Sequence, residues 1–72
     1  MDIKDIKKGR EYIFFSRHEG REIIGEVKKV IKDEVEFHKV KEKDGSPIPG
    51  WEADNMTLIP FSDVIKPTQG SE

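Results

Sequence analysis

Two histidines, His18 and His38, are the only imidazoles in this 72-residue chain, and it contains no cysteine. Neither histidine has a second histidine or a cysteine at ligand spacing, so a zinc site is not expected. Asp44 and Asp54 flank a loop, but the alternating oxygen donors of a calcium loop are missing. The hydroxyl nucleophiles are Ser16, Ser46, Ser62 and Ser71. None comes with the base and oxyanion donors that acyl or phosphoryl chemistry requires. Ser62 beside Asp63 fits the capping of a tight turn. Gly45 and Gly50 lie beside prolines and do not make a phosphate-cradling loop. The expectation is a chain without metal, cofactor or catalytic site, and with no small-molecule substrate.

Binding chemistry is better represented. Arg17, His18 and Arg21 surround one turn signal, and Lys28 and Lys29 follow along the next segment. Lys7, Lys8 and Arg10 lie in the same half. Basic residues beside an exposed aromatic such as Phe15 can hold a phosphate backbone and stack a base of single-stranded RNA or DNA. Glu19, Glu22 and Glu26 are interleaved with them and cancel much of that field. Lysine and arginine against aspartate and glutamate give 9 − 6 = +3 for residues 1–32 and 4 − 9 = −5 for residues 33–72, so the chain as a whole is not a basic nucleic-acid binder. Trp51, the only tryptophan, follows a Pro-Ile-Pro-Gly bend and precedes Glu52 and Asp54. It suits either the end of a small core or an aromatic groove for a proline-rich or basic peptide.

These side chains must be carried by short, β-forming segments. Glu11–Ser16 alternates, with Tyr12 and Phe14 on one face and Ile13 and Phe15 on the other. Arg17 to Arg21 is a turn around Gly20. Glu22–Ile31 reads as a long strand in which Gly25 marks a bulge or sharp bend. Lys32-Asp33 turns the chain into Glu34–Lys41, with Val35 and Phe37 inward and Glu34, Glu36 and His38 outward. Val40 falls out of that phase, which implies a bulge near His38 or Lys39. A helix across Ile24–Lys43 would spread its apolar residues past half its circumference, so the hairpin is preferred. Glu42 to Trp51 is a loop; Met56 to Phe61 is a strand whose Pro60 confines it to an edge. Ser62-Asp63 is a tight turn, and Val64 to Lys66 is a last short strand ended by Pro67.

Lys8-Gly9 before the first strand, the bent GEVKKV strand, the KDEVEF hairpin and the LIPFSDVI ending together resemble the SH3-like small barrels, including KOW and Tudor-like modules. The ending is also similar in outline to the Ile-Pro-aromatic-His-Arg-Ile close of a small archaeal and eukaryotic RNA-end-binding domain. Ser62-Asp63 stands where that family carries its charged pair. The first resemblance implies a mainly β fold, a small five-stranded antiparallel SH3-like partly open barrel over residues 1–66, with 67–72 as a flexible tail. The expected core is Ile6, Tyr12, Phe14, Ile24, Val27, Val30, Val35, Phe37, Leu58, Ile59, Phe61 and Val64.

The expected function is a non-enzymatic binding module for a protein partner. Its partner-contacting residues would be Trp51, Phe15, His38, Arg17, His18, Arg21 and Lys28. RNA binding through the basic first hairpin is the alternative. A third reading is a structural subunit of a homo-oligomer, in which the acidic half of one copy meets the basic half of another. No apolar segment has the length of a signal peptide or membrane span, so cytoplasmic residence without membrane contact is expected.

Overall fold

The computed structural model describes residues 2–52 and 54–68. Five antiparallel strands form one sheet in the order β4-β3-β2-β1-β5: β1 Glu11–Ser16, β2 Arg21–Ile31, β3 Glu34–Lys41, β4 Met56–Pro60 and β5 Val64–Pro67. Single 3-10 turns precede β1 (Ile3–Asp5) and join β4 to β5 (Phe61–Asp63). The sheet curls around one core as a small, partly open barrel, and no α-helix is present among the described residues. The expected strands are all found, and the helical alternative for the middle of the chain is not.

The core lies on one sheet face and is set by cross-strand register. Phe14 faces Ile23 and Tyr12 faces Gly25 across β1–β2; Val27 faces Phe37 across β2–β3; Val35 faces Ile59 across β3–β4. Every one of these residues is buried. The Phe14 and Phe37 rings stack with centroids 4.2 Å apart and planes inclined by 13°. They come from strands separated by β2, and they meet because Gly25 presents no side chain between them. A Cβ at Gly25 would lie 2.9 Å from Phe14 Cε1 and 3.0 Å from Phe37 Cβ. Below the stack, the Tyr12 hydroxyl accepts the Lys7 N–H at 3.1 Å and donates to the Asp5 carbonyl at 3.4 Å. That pair of bonds seats the N-terminal turn, and Ile6 closes the core beside it.

Bulges keep apolar residues in phase. Between Ile24↔Lys41 and Glu26↔His38, β3 contains one residue more than β2. Lys39 there adopts φ 53°, the left-handed region, and the shift returns Val40 to the core. This is the bulge the sequence phase implied. A second shift, between Val27 and Lys29, puts the extra residue on β2 at Lys28. Gly25, read as a bend, is buried between the aromatic rings instead, and the extra residue near it belongs to β3.

Four of the twelve expected core residues lie outside the core cluster. Val30 shares the core face with Val35 and Ile59 but is 40 % exposed, because it sits at the open tip of the β2–β3 hairpin. Leu58 is 47 % exposed because it faces Glu36 on the outer side of the sheet. Ile24 is buried but outside the core cluster, opposite Ile13 and Lys41 on the outer face. Its neighbour Ile23 takes the core position. Phe61 only packs partly buried against the core, whereas Ile48 enters it from the loop. Finally, β5 includes Pro67, and the Thr68 N–H donates to the Glu11 carbonyl at 3.2 Å, so 67 and 68 belong to the fold rather than to a tail. The remainder of the expected tail, 69–72, lies outside the described residues.

Gly25→Ala is expected to destabilise the domain by about 1–3 kcal/mol through overpacking, read as a lower urea midpoint. Lys39→Gly is expected to act in the opposite direction. The left-handed conformation costs a non-glycine residue about 1–2 kcal/mol, and glycine returns roughly half of that as unfolded-chain entropy. A gain of up to about 1 kcal/mol in chemical denaturation would confirm it.

Candidate binding surface

The first hairpin turn is closed by Ser16, whose buried Oγ accepts the Glu19 N–H at 3.1 Å, and by the Gly20 N–H bonding to the Ser16 carbonyl at 2.7 Å. This turn carries Arg17, His18 and Arg21, all exposed. Both arginines are already paired. Arg17 Nε donates to Asp63 at 3.0 Å, joining the turn to the 3-10 segment before β5. Arg21 grips Glu42 through Nε and Nη2, with Nε 3.2 Å from Oε1, and approaches Glu19 at 3.7 Å. Asp63, expected to cap a turn with Ser62, serves Arg17 instead, and that turn has no side-chain cap. His18 projects from the turn without a hydrogen bond or ion pair among the described residues.

The outer sheet face is a lattice of neutralised charge. Glu11 and Glu26 sit directly opposite each other, which would repel. From β3, Lys41 Nζ pairs with Glu11 at 3.0 Å, and His38 Nε2 lies within hydrogen-bond distance of Glu26 at 3.3 Å. Lys43 Nζ reaches Glu22 at 3.1 Å. Lys41, Glu42 and Lys43 thus all reach back across the sheet and anchor the start of the β3–β4 loop. Surface pairs of this kind are worth about 0–1 kcal/mol each, so their main effect is to hold the loop and cancel local field.

Phe15 is 38 % exposed on this face, with Ile13 beside it on β1 and Ile65 exposed on the adjoining β5. Its cross-strand neighbour is Glu22. Lys28 lies six residues farther along β2, about 20 Å at strand spacing. The structure therefore does not gather Phe15, Arg17, Arg21 and Lys28 into one cationic stacking platform. Lys28 and Lys29, with Lys7 and Lys8, carry no ion pair among the described residues. The two segments that carry them are joined by backbone bonds, from the Gly9 N–H to the Val27 carbonyl and from the Val27 N–H to that of Arg10.

The β3–β4 loop builds the more concave site. Asp44 accepts from the Ser46 N–H at 2.9 Å and from its hydroxyl at 2.7 Å, closing a turn in which Gly45 takes φ 91°. Pro47 then bridges to Lys41, and Ile48 enters the core. Ile48-Pro49-Gly50-Trp51 forms a β-turn, with the Trp51 N–H on the Ile48 carbonyl at 3.0 Å and Gly50 at φ 82°. That turn delivers Trp51 half-buried against the core. Trp51 also lines a cleft of about 340 Å³ with Val40, Pro47, Lys39, Lys41 and Glu52. Its indole Nε1 is buried and has no acceptor among the described residues. A larger depression of about 480 Å³ is lined by Glu22, Glu42, Lys43, Asp44 and Ser46, and its charges are largely paired. The sequence signalled Trp51 but not Val40 and Pro47, because the first is aimed by the Lys39 bulge and the second by a loop bridge.

Among the described residues, no group of three His, Asp or Glu side chains could hold a metal ion, and no helix is long and apolar enough to cross a membrane. No protein-family model, curated protein or solved structure matches the chain.

The Asp44 carboxyl is held below the ordinary aspartate value of 3.8 by its hydrogen bonds, the Ser46 hydroxyl first and then the Ser46 backbone N–H. A lowered pKa means that the turn keeps this interaction above the ordinary aspartate range and loses it as pH falls through the folded value. NMR titration should place Asp44 below 3.8 in the wild type and nearer to it in Ser46→Ala; identical curves would show the hydroxyl to be irrelevant.

Proposed function

We propose that this chain is a non-enzymatic protein-binding module of SH3-like architecture, and that its Trp51 cleft takes an apolar, proline-bearing segment of a protein partner. The observation that supports this best is the division of Trp51 between the core and the cleft. One part of the ring is fixed by packing, so the exposed part is a pre-oriented contact that loses little entropy on binding. Val40 and Pro47 extend the apolar wall, and Lys39 and Glu52 supply a polar rim. Phe15 with Ile13 and Ile65 offers a second, flatter apolar contact on the outer face.

Nucleic-acid binding is the second reading. It is supported by Lys7, Lys8, Lys28 and Lys29 rather than by the first hairpin, whose arginines are held by Asp63 and Glu42. Such binding would weaken steeply with salt.

Trp51 is the sole tryptophan, so its emission reports the cleft directly. Titration with a panel of proline-rich peptides should shift that emission for at least one member. The affinity should change less than about threefold between roughly 50 and 200 mM salt, where phosphate-backbone binding would fall by orders of magnitude. The partly buried ring makes Trp51→Ala a test of fold as well as of binding, so the paired variant is Lys39→Glu at the rim. Unchanged binding in a folded Trp51→Ala protein would reject the cleft.

A further inference from the structure

We infer that the free edge of β4 is a self-complementary pairing site, through which two copies of this chain join their sheets antiparallel about a two-fold axis at Leu58. This goes beyond the peptide cleft and does not depend on it. One hydrogen bond fixes the geometry. The Phe61 N–H donates to the Asp33 carbonyl at 2.9 Å, immediately outside the Glu34↔Pro60 pair. In an antiparallel ladder this makes Glu34↔Pro60 a non-hydrogen-bonded pair, and the alternation follows along β4. Ile59 and Thr57 turn their N–H and C=O groups toward β3. Met56 and Leu58 turn theirs to the open edge, and so does the Pro60 carbonyl. Proline at 60 removes a donor where β3 would not have used it.

That edge reads the same from either end. With Leu58 opposite Leu58 of the second copy, each N–H meets the other's carbonyl, and each Met56 N–H meets the carbonyl of Pro60 in the second copy. Two pairs of equivalent bonds form, and each Met56 carbonyl is left without a donor because Pro60 has no N–H. The outward side chains match the backbone: Met56 is 49 % exposed and Leu58 47 % exposed, and both sit on the outer face beside His38 and Glu36. Leucine would face leucine on the axis, and methionine would face proline on either side. β4 (MTLIP) contains no charge, so nothing repels across the axis. Edge strands ordinarily escape such pairing by carrying lysine, proline or a bulge. β5, the other edge, has all three, in Lys66, Pro67 and a register shift opposite Ile13/Phe14, whereas β4 has only Pro60, at its last position. Pairing β4 with β5 of another copy would also propagate as an open filament, whereas β4 with β4 closes as a dimer. Five residues a side make a small interface, so the dimer is a weak one.

Sedimentation of the full chain between about 10 μM and 1 mM tests this in the range of weak interfaces. The wild type should show a monomer–dimer equilibrium. Hydrogen exchange at the Met56 and Leu58 amides should slow as concentration rises. Leu58→Lys places like charges on the axis and should raise the dimer dissociation constant roughly tenfold or more. Leu58→Pro deletes only an edge-facing donor and should leave a folded monomer; if it does not fold, Leu58→Lys at an exposed position decides alone. Phe15→Lys, on the same outer face but three strands away on β1, should leave the dimer intact. A wild type that stays monomeric throughout, or a dimer that Phe15→Lys dissolves or Leu58→Lys leaves intact, would overturn the inference.

Discussion

The contact of Phe14 with Phe37 across Gly25 is the constraint on which the rest of this domain depends. β1 and β3 are not neighbours, and in a sheet of ordinary side chains their aromatic residues would be held apart by whatever β2 carries between them. Removing that side chain lets the rings stack at 4.2 Å. The interaction is worth about 0.5–1.5 kcal/mol beyond the area it buries. Its larger effect is geometric, because it draws three strands around one point and curls the sheet. A domain of this size has little apolar surface to spend, and a curled sheet closes it around a single cluster. Gly25 needs no unusual backbone angle; its role is to leave space.

Curvature has to be reconciled with a strict two-residue alternation, and bulges at Lys39 and Lys28 do so. Without the first, Val40 would point outward and the wall of the Trp51 cleft would lose a member. Without the second, the β2 phase fixed by Val27 would not carry Val30 onto the face of Val35 and Ile59. The bulge at Lys39 therefore serves packing and the candidate site together, as bulges commonly do near functional surfaces. The lysine there occupies a conformation better suited to glycine, a local cost retained where β3 leaves β4 and starts toward the cleft.

Charge on this molecule is organised inward along the surface rather than toward a partner. Arg17, Arg21, Lys41 and Lys43 each have an acidic partner from a different segment. The resulting lattice ties the first turn to the 3-10 segment before β5 and the long loop to the sheet. What remains for recognition is the cleft beside Trp51, the apolar strip at Phe15, the lysines near Val27 that have no ion pair among the described residues, and the uncharged β4 edge. In three of these four, apolar contact rather than field is the available chemistry.

The sequence by itself determined the elements. Alternation in EYIFFS and in EVEFHKVK, the Lys32-Asp33 turn, Pro60 at a strand end and the phase slip at Val40 are local signals. Strand formation and turns respond to local pattern, so these were legible. It also separated the inward Tyr12 and Phe14 from the outward Ile13 and Phe15, because a single register explains all four. Where two apolar residues adjoin, as in Ile23-Ile24 and Leu58-Ile59, the sequence contains no phase. Only pairing with β1 and β3 decided that Ile23 and Ile59 face the core. Ile48 lies between two prolines in a loop, and nothing local marks it as buried. The fate of the basic first hairpin was likewise tertiary, since the partners of Arg17 and Arg21 are 46 and 21 residues away in the chain. Long-range closure brought those charges together, and it alone decided which side chains were left facing outward.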